Sequence, residues 1–238
     1  MRPPCARWRT ALALCPARRR RRHPGRPRLH PHRRRRLASA AAGRGDAAAG
    51  PCAEYDRYAA DPARTADHDL PTAAAVVAVH VPGGLLSVAW SGDARAYLLL
   101  DGNLRLLTED HNARRAYDGD RNLITACLGR AGSDEETERI WGHPAIEFLR
   151  GPVRPGWLLL ASDGTCEPHE DANHGLAVHL TGDPRTAAER LVDDAVRLAH
   201  ERNAPYADNA TALVTHITDE GEEAAAHPTP PPGRPLVR

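Results

Sequence analysis

The sequence predicts an α+β fold in which antiparallel strands pack against helices. Four short apolar segments follow one another at residues 73–81, 85–90, 94–100 and 104–107, and turn-forming residues separate them. Strands in such close succession pair in an antiparallel sheet, because only antiparallel neighbours are joined by tight turns. Apolar residues at helical spacing over roughly residues 185–202 predict a helix near the C-terminus, so the fold contains both strands and helices.

The turns define the strands. Pro82, Gly83 and Gly84 break the first apolar run, and Asp101, Gly102 and Asn103 separate the third from the fourth. These residue types are typical of tight turns, so the first two segments predict a hairpin. Two further strands are predicted at residues 157–161 and 210–217. We expect residues 108–156 to be mostly loop, with a short apolar piece at 123–128.

The predicted helix has a defined start and a single apolar face. Asp183 is a suitable N-cap, and Pro184 suits the first helical position. Leu191, Ala195 and Leu198 recur at helical spacing, whereas charged residues occupy the other face. This pattern predicts a helix that packs on the sheet.

Composition divides the chain into three parts. Residues 1–50 are rich in Arg, Ala and Pro, and we expect a disordered head. Residues 51–218 carry the patterned segments and are expected to form one folded domain. Residues 219–238 are acidic and then Pro-rich, and we expect a disordered tail.

Charge is unevenly distributed between these parts. Fourteen arginines and no acid lie in residues 1–36, whereas residues 37–238 hold eighteen arginines against thirty-one acids, a balance of −13. An acidic domain is a poor partner for nucleic acid and a suitable one for divalent cations. The basic head has two interpretations, an arm for nucleic acid or anionic membrane and an inert or artefactual extension. We favour the second, since no aromatic residues or recognition motif accompany the arginines.

The cysteines indicate a reducing compartment. The five cysteines are scattered, odd in number and without any CxxC pair: Cys5, Cys15, Cys52, Cys127 and Cys166. Neither a disulfide framework nor a zinc motif of paired cysteines is predicted. No apolar run approaches the length of a membrane span. We therefore expect a cytoplasmic protein without a membrane partner.

Three aspartates share one local setting. Asp93 follows the second strand, Asp163 follows the strand at 157–161, and Asp208 precedes the last strand. If these strands are neighbours, the carboxylates meet at one rim of a sheet and need cations to offset their repulsion. Hard oxygen ligands of this kind suit magnesium or manganese. Taken singly, each aspartate is more often an ordinary turn residue than a metal ligand.

Five segments in order strengthen the metal interpretation. The segments are SVAWSGDARAYL at 87–98, LTEDHN at 107–112, ITACLG at 124–129, GWLLLASDG at 156–164 and ADNAT at 207–211. Together they resemble the motifs of the PPM (type 2C) family of metal-dependent protein Ser/Thr phosphatases, and the resemblance covers residues 72–218.

The resemblance implies a fold, a cofactor and ligands. The implied fold is a PPM-type αββα sandwich, two packed antiparallel sheets flanked by helices. The implied centre holds two or more Mn or Mg ions and hydrolyses phosphomonoesters with a metal-activated water. By position, Asp163 and Asp208 match ligands of the main metal pair, and Asp93 matches a ligand of a third, weaker metal. Gly164 and Asn209 occupy supporting positions, and Arg95 stands where the family keeps a structural arginine.

The N-terminal motifs of the family are missing from the sequence. The DGxGG loop that supplies the bridging carboxylate has no match upstream of Thr72, and Asp61, Asp67 and Asp69 lie in no Gly-rich setting. We therefore expect a sandwich incomplete at its N-terminus, with unpaired sheet edges and low or no activity. The expected partner is a phosphoprotein, for example a substrate of a bacterial Ser/Thr kinase. A catalytically dead interaction module, or pseudophosphatase, is the alternative.

Other polar residues are expected to be structural. His111 is expected to hold a loop, and Cys166 to be a small buried residue without the phosphate-binding loop of a cysteine phosphatase. His169 and His174 have no ligand spacing, so a solvated loop is the favoured interpretation over a metal site.

Overall fold

The computed structural model describes residues 10–14, 32–59, 72–81, 84–130, 133–202 and 208–218. The strands are β1 Thr10–Leu14, β2 Ala75–Val81, β3 Leu85–Ser91, β4 Arg95–Leu100, β5 Asn103–Leu106, β6 Glu147–Pro152, β7 Gly156–Ala161 and β8 Ala212–Ile217. The helices are α1 His32–Arg44, α2 Ala49–Ala59, α3 Ala113–Tyr117, α4 Asp134–Trp141, α5 Asp163–Asp171 and α6 Pro184–Glu201, and Leu176–His179 forms a 3₁₀ turn. Within these ranges, no helix is long and apolar enough to cross a bilayer.

Two four-stranded sheets form the centre of the molecule. One has the strand order β1-β2-β3-β6 and the other β5-β4-β7-β8, and every pairing is antiparallel. The four successive strands at residues 73–107 are therefore divided between two sheets and do not form one. The chain changes sheet at Gly92, whose φ is +95°. A Cβ there would lie 2.7 Å from the Cβ of Ala74, so only glycine fits this turn.

Apolar side chains fill three layers. Val76, Val88 and Trp90 of the first sheet pack with Leu158 and Leu160 of the second to form the central layer. The alternate residues of the strands face outward, since strand side chains alternate between faces, and they meet the helices. On one side α1 packs over the first sheet, and on the other α6 packs over the second. This confirms the predicted α+β class and its αββα layering.

The head differs from the expected disorder over two segments. Residues 10–14 form β1, which pairs with β2 from Thr10 opposite His80 to Leu14 opposite Val76. The edge of β2, expected to be unpaired, is therefore covered. Helix α1 buries Leu37 and Ala41 against the first sheet. Flanking arginines concealed both elements, because the apolar segments between them are short.

Some predictions fall outside the described residues. The rest of the head, the tail at 219–238, and Asp61, Asp67 and Asp69 lie there. The domain boundaries at residues 50 and 218 stay predictions.

The segment at 108–156 is more regular than expected. It contains α3, α4 and β6 in place of a long loop. Ser133 caps the start of α4 with its side chain, and Gly142 ends the helix with φ +76°. These elements are short, and β6 alternates half-buried with exposed residues, so neither left a strong apolar signal.

Helices α5 and α6 cover the outer face of the second sheet. α6 confirms the predicted helix: the side chain of Asp183 accepts a hydrogen bond from the Thr186 backbone N–H at 2.9 Å, and Pro184 is the first residue. α5 was not predicted. It begins at Asp163, where the sequence indicated only a turn, and it contains Pro168.

Candidate metal-binding rim

The three predicted aspartates lie at one end of the second sheet. Arg95 pairs with Ala161, and Ala161 pairs with Ala212, so the start of β4, the end of β7 and the start of β8 are level. Asp93 lies just before β4, Asp163 just after β7, and Asp208 just before β8. We call this end of the sheet, with Asp93, Asp163 and Asp208, the aspartate rim.

Asp163 and Asp208 are brought together by a close backbone contact. A Cβ placed on Gly164 would lie 2.9 Å from the carbonyl oxygen of Asn209 and 3.2 Å from the carbonyl carbon of Asp208. The hydroxyl of Ser162 donates to the Asn209 carbonyl at 3.0 Å and accepts from the Thr211 N–H at 3.0 Å. Gly164 and Asn209 therefore join the two aspartate-bearing segments.

Local hydrogen bonds orient both carboxylates. Oδ1 of Asp163 accepts from the Gly164 N–H at 2.8 Å, and Oδ1 of Asp208 accepts from the Asn209 N–H at 2.7 Å. Asp163 is half-buried at the N-terminus of α5, where the helix dipole favours a negative charge. Asp208 is exposed. Both side chains are thus accessible to a cation from solvent.

The turn that carries Asp93 is held by a buried histidine. Nδ1 of His111 accepts from the Gly92 N–H at 3.3 Å, and the His111 N–H donates to the Gly92 carbonyl at 3.0 Å. Because Nδ1 accepts, the ring proton is on Nε2, which donates to Glu147 at 3.0 Å. His111 is fully buried and stacks on His143, with ring centroids 4.4 Å apart. It has the structural role predicted from sequence.

Glu147 completes this support. Arg115 donates to its two carboxylate oxygens from Nη1 at 2.6 Å and from Nη2 at 2.9 Å. Burial alone would raise the pKa of Glu147, but the hydrogen bonds from Arg115 and His111 lower it to about 2. A charged, doubly bound carboxylate therefore anchors the ring that holds the Asp93 turn.

Arg95 connects the rim to α5. Its guanidinium donates to both oxygens of Asp110, at 2.9 and 2.7 Å, and to Glu170 at 2.6 Å. These partners occupy the fork of the side chain, so Arg95 is structural, as the resemblance implies. Cys166 lies under this network, and burial raises the pKa of its thiol to about 12. It is the inert buried residue predicted from sequence.

One carboxylate of the rim was missed by sequence reasoning. Glu167 lies four residues after Asp163 on α5, and hence on the same face of the helix. Burial raises the pKa of Glu167; Arg121 and Arg95 act against this, and the charge of Asp93 adds to it. The spacing from Asp163 would have revealed Glu167 had α5 been anticipated. Gly164 and Pro168 within the segment concealed the helix.

The aspartate rim is open. Among the described residues, a group of three or more ligand atoms within 4.8 Å of one another forms only at His169, His179 and Asp194, which are not rim residues. Mg²⁺ and Mn²⁺ retain several waters and bind few protein carboxylates directly, so widely spaced oxygens still fit them. The donor set is all oxygen, which is the chemistry these ions prefer.

Comparisons with known proteins bear on the fold and the resemblance. No protein-family model matches the chain. Human "Protein phosphatase 1F" is 28% identical over 163 residues, which cover 60% of this chain and 35% of that protein. The chain therefore spans about a third of the length of this curated relative.

Solved structures share the fold. PppA, "a key regulatory component of T6SS in Pseudomonas aeruginosa", matches with a TM-score of 0.57 at 20% identity, over 86% of this chain and 85% of that one. The Mycobacterium tuberculosis serine/threonine phosphatase PstP/Ppp matches with a TM-score of 0.54 at 18% identity, over 89% and 100%. The catalytic domain of PstP with two manganese ions gives 0.53 at 17%, over 88% and 100%. The solved structures show that the chain has the fold of these phosphatases, and together with the motif order the comparisons support its resemblance to the PPM (type 2C) family of protein phosphatases.

Proposed function

We propose that residues 72–218 carry the C-terminal portion of a metal-dependent protein Ser/Thr phosphatase centre, with Asp163, Asp208 and Asp93 as metal ligands. The observation that carries this proposal is the level alignment of three strand ends, which puts these aspartates at one end of one sheet. The contact of Gly164 with the Asp208–Asn209 backbone supports it, because it packs two of the three segments together.

Mn²⁺ or Mg²⁺ is the proposed cofactor. When bound, such ions lower the pKa of a water molecule and neutralise charge on phosphoryl oxygens. Asp163 and Asp208 would hold the ion, and the N–H groups of Gly164 and Asn209 fix their carboxylates in position. Asp93, 6% exposed, would contribute from the buried side of the rim.

We expect this chain to turn over slowly. The DGxGG loop that gives the family its bridging carboxylate has no match in residues 1–71. The attacking water must be positioned accurately for hydrolysis. We therefore expect the missing bridging carboxylate to lower the rate of hydrolysis more than it lowers metal affinity. A PPM-like module that binds metal and a phosphoprotein without hydrolysing it is therefore the second candidate. The expected phosphoprotein is a substrate of a bacterial Ser/Thr kinase, in a reducing, cytoplasmic setting.

Manganese titration by calorimetry tests the site, with hydrolysis of p-nitrophenyl phosphate as the second readout. Asp163→Asn is expected to abolish manganese binding, since it removes the charge and keeps the volume. Asp101→Asn is the matched control: Asp101 lies in the turn at the opposite end of β4 with φ +49°, a conformation that Asn adopts readily. Equal manganese affinity in both variants would refute the assignment. Turnover as fast as that of an efficient enzyme, abolished by both EDTA and Asp163→Ala, would refute slow catalysis.

A further inference from the structure

A second group of metal-ligating side chains lies outside the rim, at the other end of α5. His169 is on α5, His174 follows that helix, His179 ends the 3₁₀ turn and Asp194 is on α6. Oδ2 of Asp194 lies 3.5 Å from Nε2 of His179, 3.8 Å from Nδ1 of His174 and 3.9 Å from Nδ1 of His169. We call these four residues the histidine cluster. The favoured interpretation from sequence, a solvated loop at His169 and His174, is wrong for His169, which is fully buried.

The hydrogen bonds of His169 leave one nitrogen aimed into the cluster. Nε2 lies 3.1 Å from the carbonyl oxygen of Leu191, which only accepts, so Nε2 carries the proton. In the neutral ring Nδ1 is then an acceptor. It is buried and has no hydrogen-bond partner among the described residues. A buried lone pair that faces a carboxylate is unfavourable unless a proton or a metal ion lies between them.

The same arrangement is typical of histidines that bind metals. A metal-binding imidazole usually donates its other N–H to a backbone carbonyl, which fixes the ring and leaves the ligating nitrogen unprotonated. The Leu191 carbonyl does this for His169. Nε2 of His179 lies 3.5 Å from Oδ2 of Asp194, so it faces the same carboxylate oxygen as Nδ1 of His169. Two nitrogens are therefore prepared for coordination.

Asp194 is oriented in a matching way. Arg197 donates from Nε and Nη2 to Oδ1 of Asp194, and this leaves Oδ2 facing the histidines. Arg190 lies on the far side, where its guanidinium donates to the carbonyls of His179 and Thr181. Both arginines are thus engaged with oxygen atoms, and the interior of the cluster is left to two or three imidazoles and one carboxylate oxygen.

We propose that His169, His179 and Asp194 form a binding site for a zinc-type divalent transition metal, with His174 closing the fourth position. Imidazole and carboxylate ligands suit Zn²⁺ and are not the oxygen sets that Mg²⁺ and Mn²⁺ prefer. The ligand atoms of the first three residues lie within 4.8 Å of one another. A tetrahedral zinc site brings ligand atoms to about 3.3 Å apart, with metal bonds of about 2.0–2.1 Å. Small side-chain rotations would bring the ligand atoms from their present separations to this distance. His174 is half exposed, so its side chain has room to turn toward the other three residues.

Such an ion would fasten three elements to one another. α5, the 3₁₀ turn and α6 each contribute at least one ligand. With all four positions taken by protein, the site is closed and structural. Binding of metal to the folded chain then adds directly to its stability.

Zinc affinity of the full chain tests the proposal, measured by competition with a chromophoric chelator after metal has been removed. We expect one tight zinc per chain and a higher Tm with zinc. Asp194→Asn and His179→Gln each remove a ligand, and we expect each to weaken zinc binding at least about tenfold. Loss of a residue that only hydrogen-bonds to a metal ligand already lowers metal affinity by about tenfold or more. Asp193→Asn and His200→Gln are exposed neighbours on α6 and should bind zinc as the wild type does.

Two further measurements test the site even if Asp194→Asn or His179→Gln does not fold. Co²⁺ bound to the wild-type chain should give the intense visible absorption of a tetrahedral site. His174→Ala changes a half-exposed residue and should fold, weaken zinc binding and alter that spectrum. The proposal is overturned if the ligand variants bind zinc as tightly as Asp193→Asn, or if the Co²⁺ spectrum is octahedral. A doubly protonated His169 ring at neutral pH in a chain without zinc affinity would also overturn it, because a proton then occupies the place given to the metal.

Discussion

Helix α5 carries a residue of a proposed metal site near each end, Asp163 and His169, and the two sites differ in how closely their ligand atoms approach. At its start, Asp163 belongs to an aspartate rim whose oxygens are spread out and partly exposed. At its end, His169 belongs to a histidine cluster whose ligand atoms lie within 4.8 Å of one another. The difference agrees with the chemistry of the side chains: the rim consists of carboxylates, which repel one another when no cation is present, whereas the cluster has one carboxylate among its imidazoles.

The two ends also draw on different parts of the chain. The histidine cluster is built from residues 169–194, from one compact region of α5, the 3₁₀ turn and α6. The aspartate rim needs β3, β4, β7 and β8, and the family adds a loop that the sequence does not match. The histidine cluster therefore needs only the folding of this one region. The aspartate rim needs the correct assembly of a whole sheet.

The largest expected effect is on the helix that backs the histidine cluster. Leu191→Ala removes a fully buried side chain from the core between α6 and β7, and should lower the free energy of unfolding by about 2–5 kcal/mol. Urea denaturation measures it. Val196→Ala, at the exposed face of α6, should cost less than about 0.5 kcal/mol. Equal losses would show that α6 does not pack as described.

The next prediction separates the rim from the cluster. Gly164→Ala puts a Cβ 2.9 Å from the Asn209 carbonyl oxygen, which must move. We expect a loss of about 1–3 kcal/mol in unfolding free energy, reduced by the higher helix propensity of Ala. Manganese affinity should fall and zinc affinity should stay unchanged when both are measured on the same preparation. Parallel losses of both would mean that α5 moves as one body and that the two ends are coupled.

A smaller effect concerns acid stability of the rim. The folded pKa of Glu147 is about 2, below its ordinary value of 4.5, so its stabilising effect is fully present above about pH 4.5 and is lost as pH falls through 2. We expect on the order of 1 kcal/mol, because water screens part of the interaction. Glu147→Gln should flatten the dependence of unfolding free energy on pH in that window. Exposed Glu138→Gln serves as the control, and a profile unchanged from the wild type in Glu147→Gln would contradict the expectation.

The smallest expected change in unfolding free energy is for a substitution on the outer face of α6. Arg185 and Glu189 form an exposed ion pair at 3.0 Å. Arg185→Ala should change the unfolding free energy by less than about 0.5 kcal/mol, since exposed pairs contribute little. Neither metal affinity should change. A measurable loss of zinc binding would show that charges on this face reach the histidine cluster.

Sequence reasoning found the elements with strong local signals. The cap and apolar face of α6, and the buried strand β7 with the Asp163 that follows it, depend on contacts within a few residues. It missed α5 because Gly164 and Pro168 are poor helix formers, and the tertiary contacts of Thr165, Cys166 and His169 outweigh that preference. It missed β6 because this strand lies at the edge of its sheet and buries little.

The two candidate sites also differ in how far the sequence reveals them. Asp93, Asp163 and Asp208 were found from their shared position at strand ends, strengthened by the motif order. His179 lies ten positions after His169, and Asp194 lies fifteen positions after His179, so the three residues have no recognisable ligand spacing in the sequence. Only the packing of α5 against α6 brings them together. The orientation of the His169 ring, set by the Leu191 carbonyl, has no trace in the sequence.

The pairing of β1 with β2 has a practical consequence for anyone who shortens this protein. β1 lies inside the arginine-rich segment, so a deletion made to remove positive charge also strips a strand from the sheet. The bared edge of β2, seven mostly apolar residues long, would present unpaired backbone N–H and C=O groups, which favour edge-to-edge association between copies. Replacing Arg18–Arg22 by glutamine instead changes the charge and leaves the strand in place, so that any effect on nucleic-acid affinity is separated from aggregation.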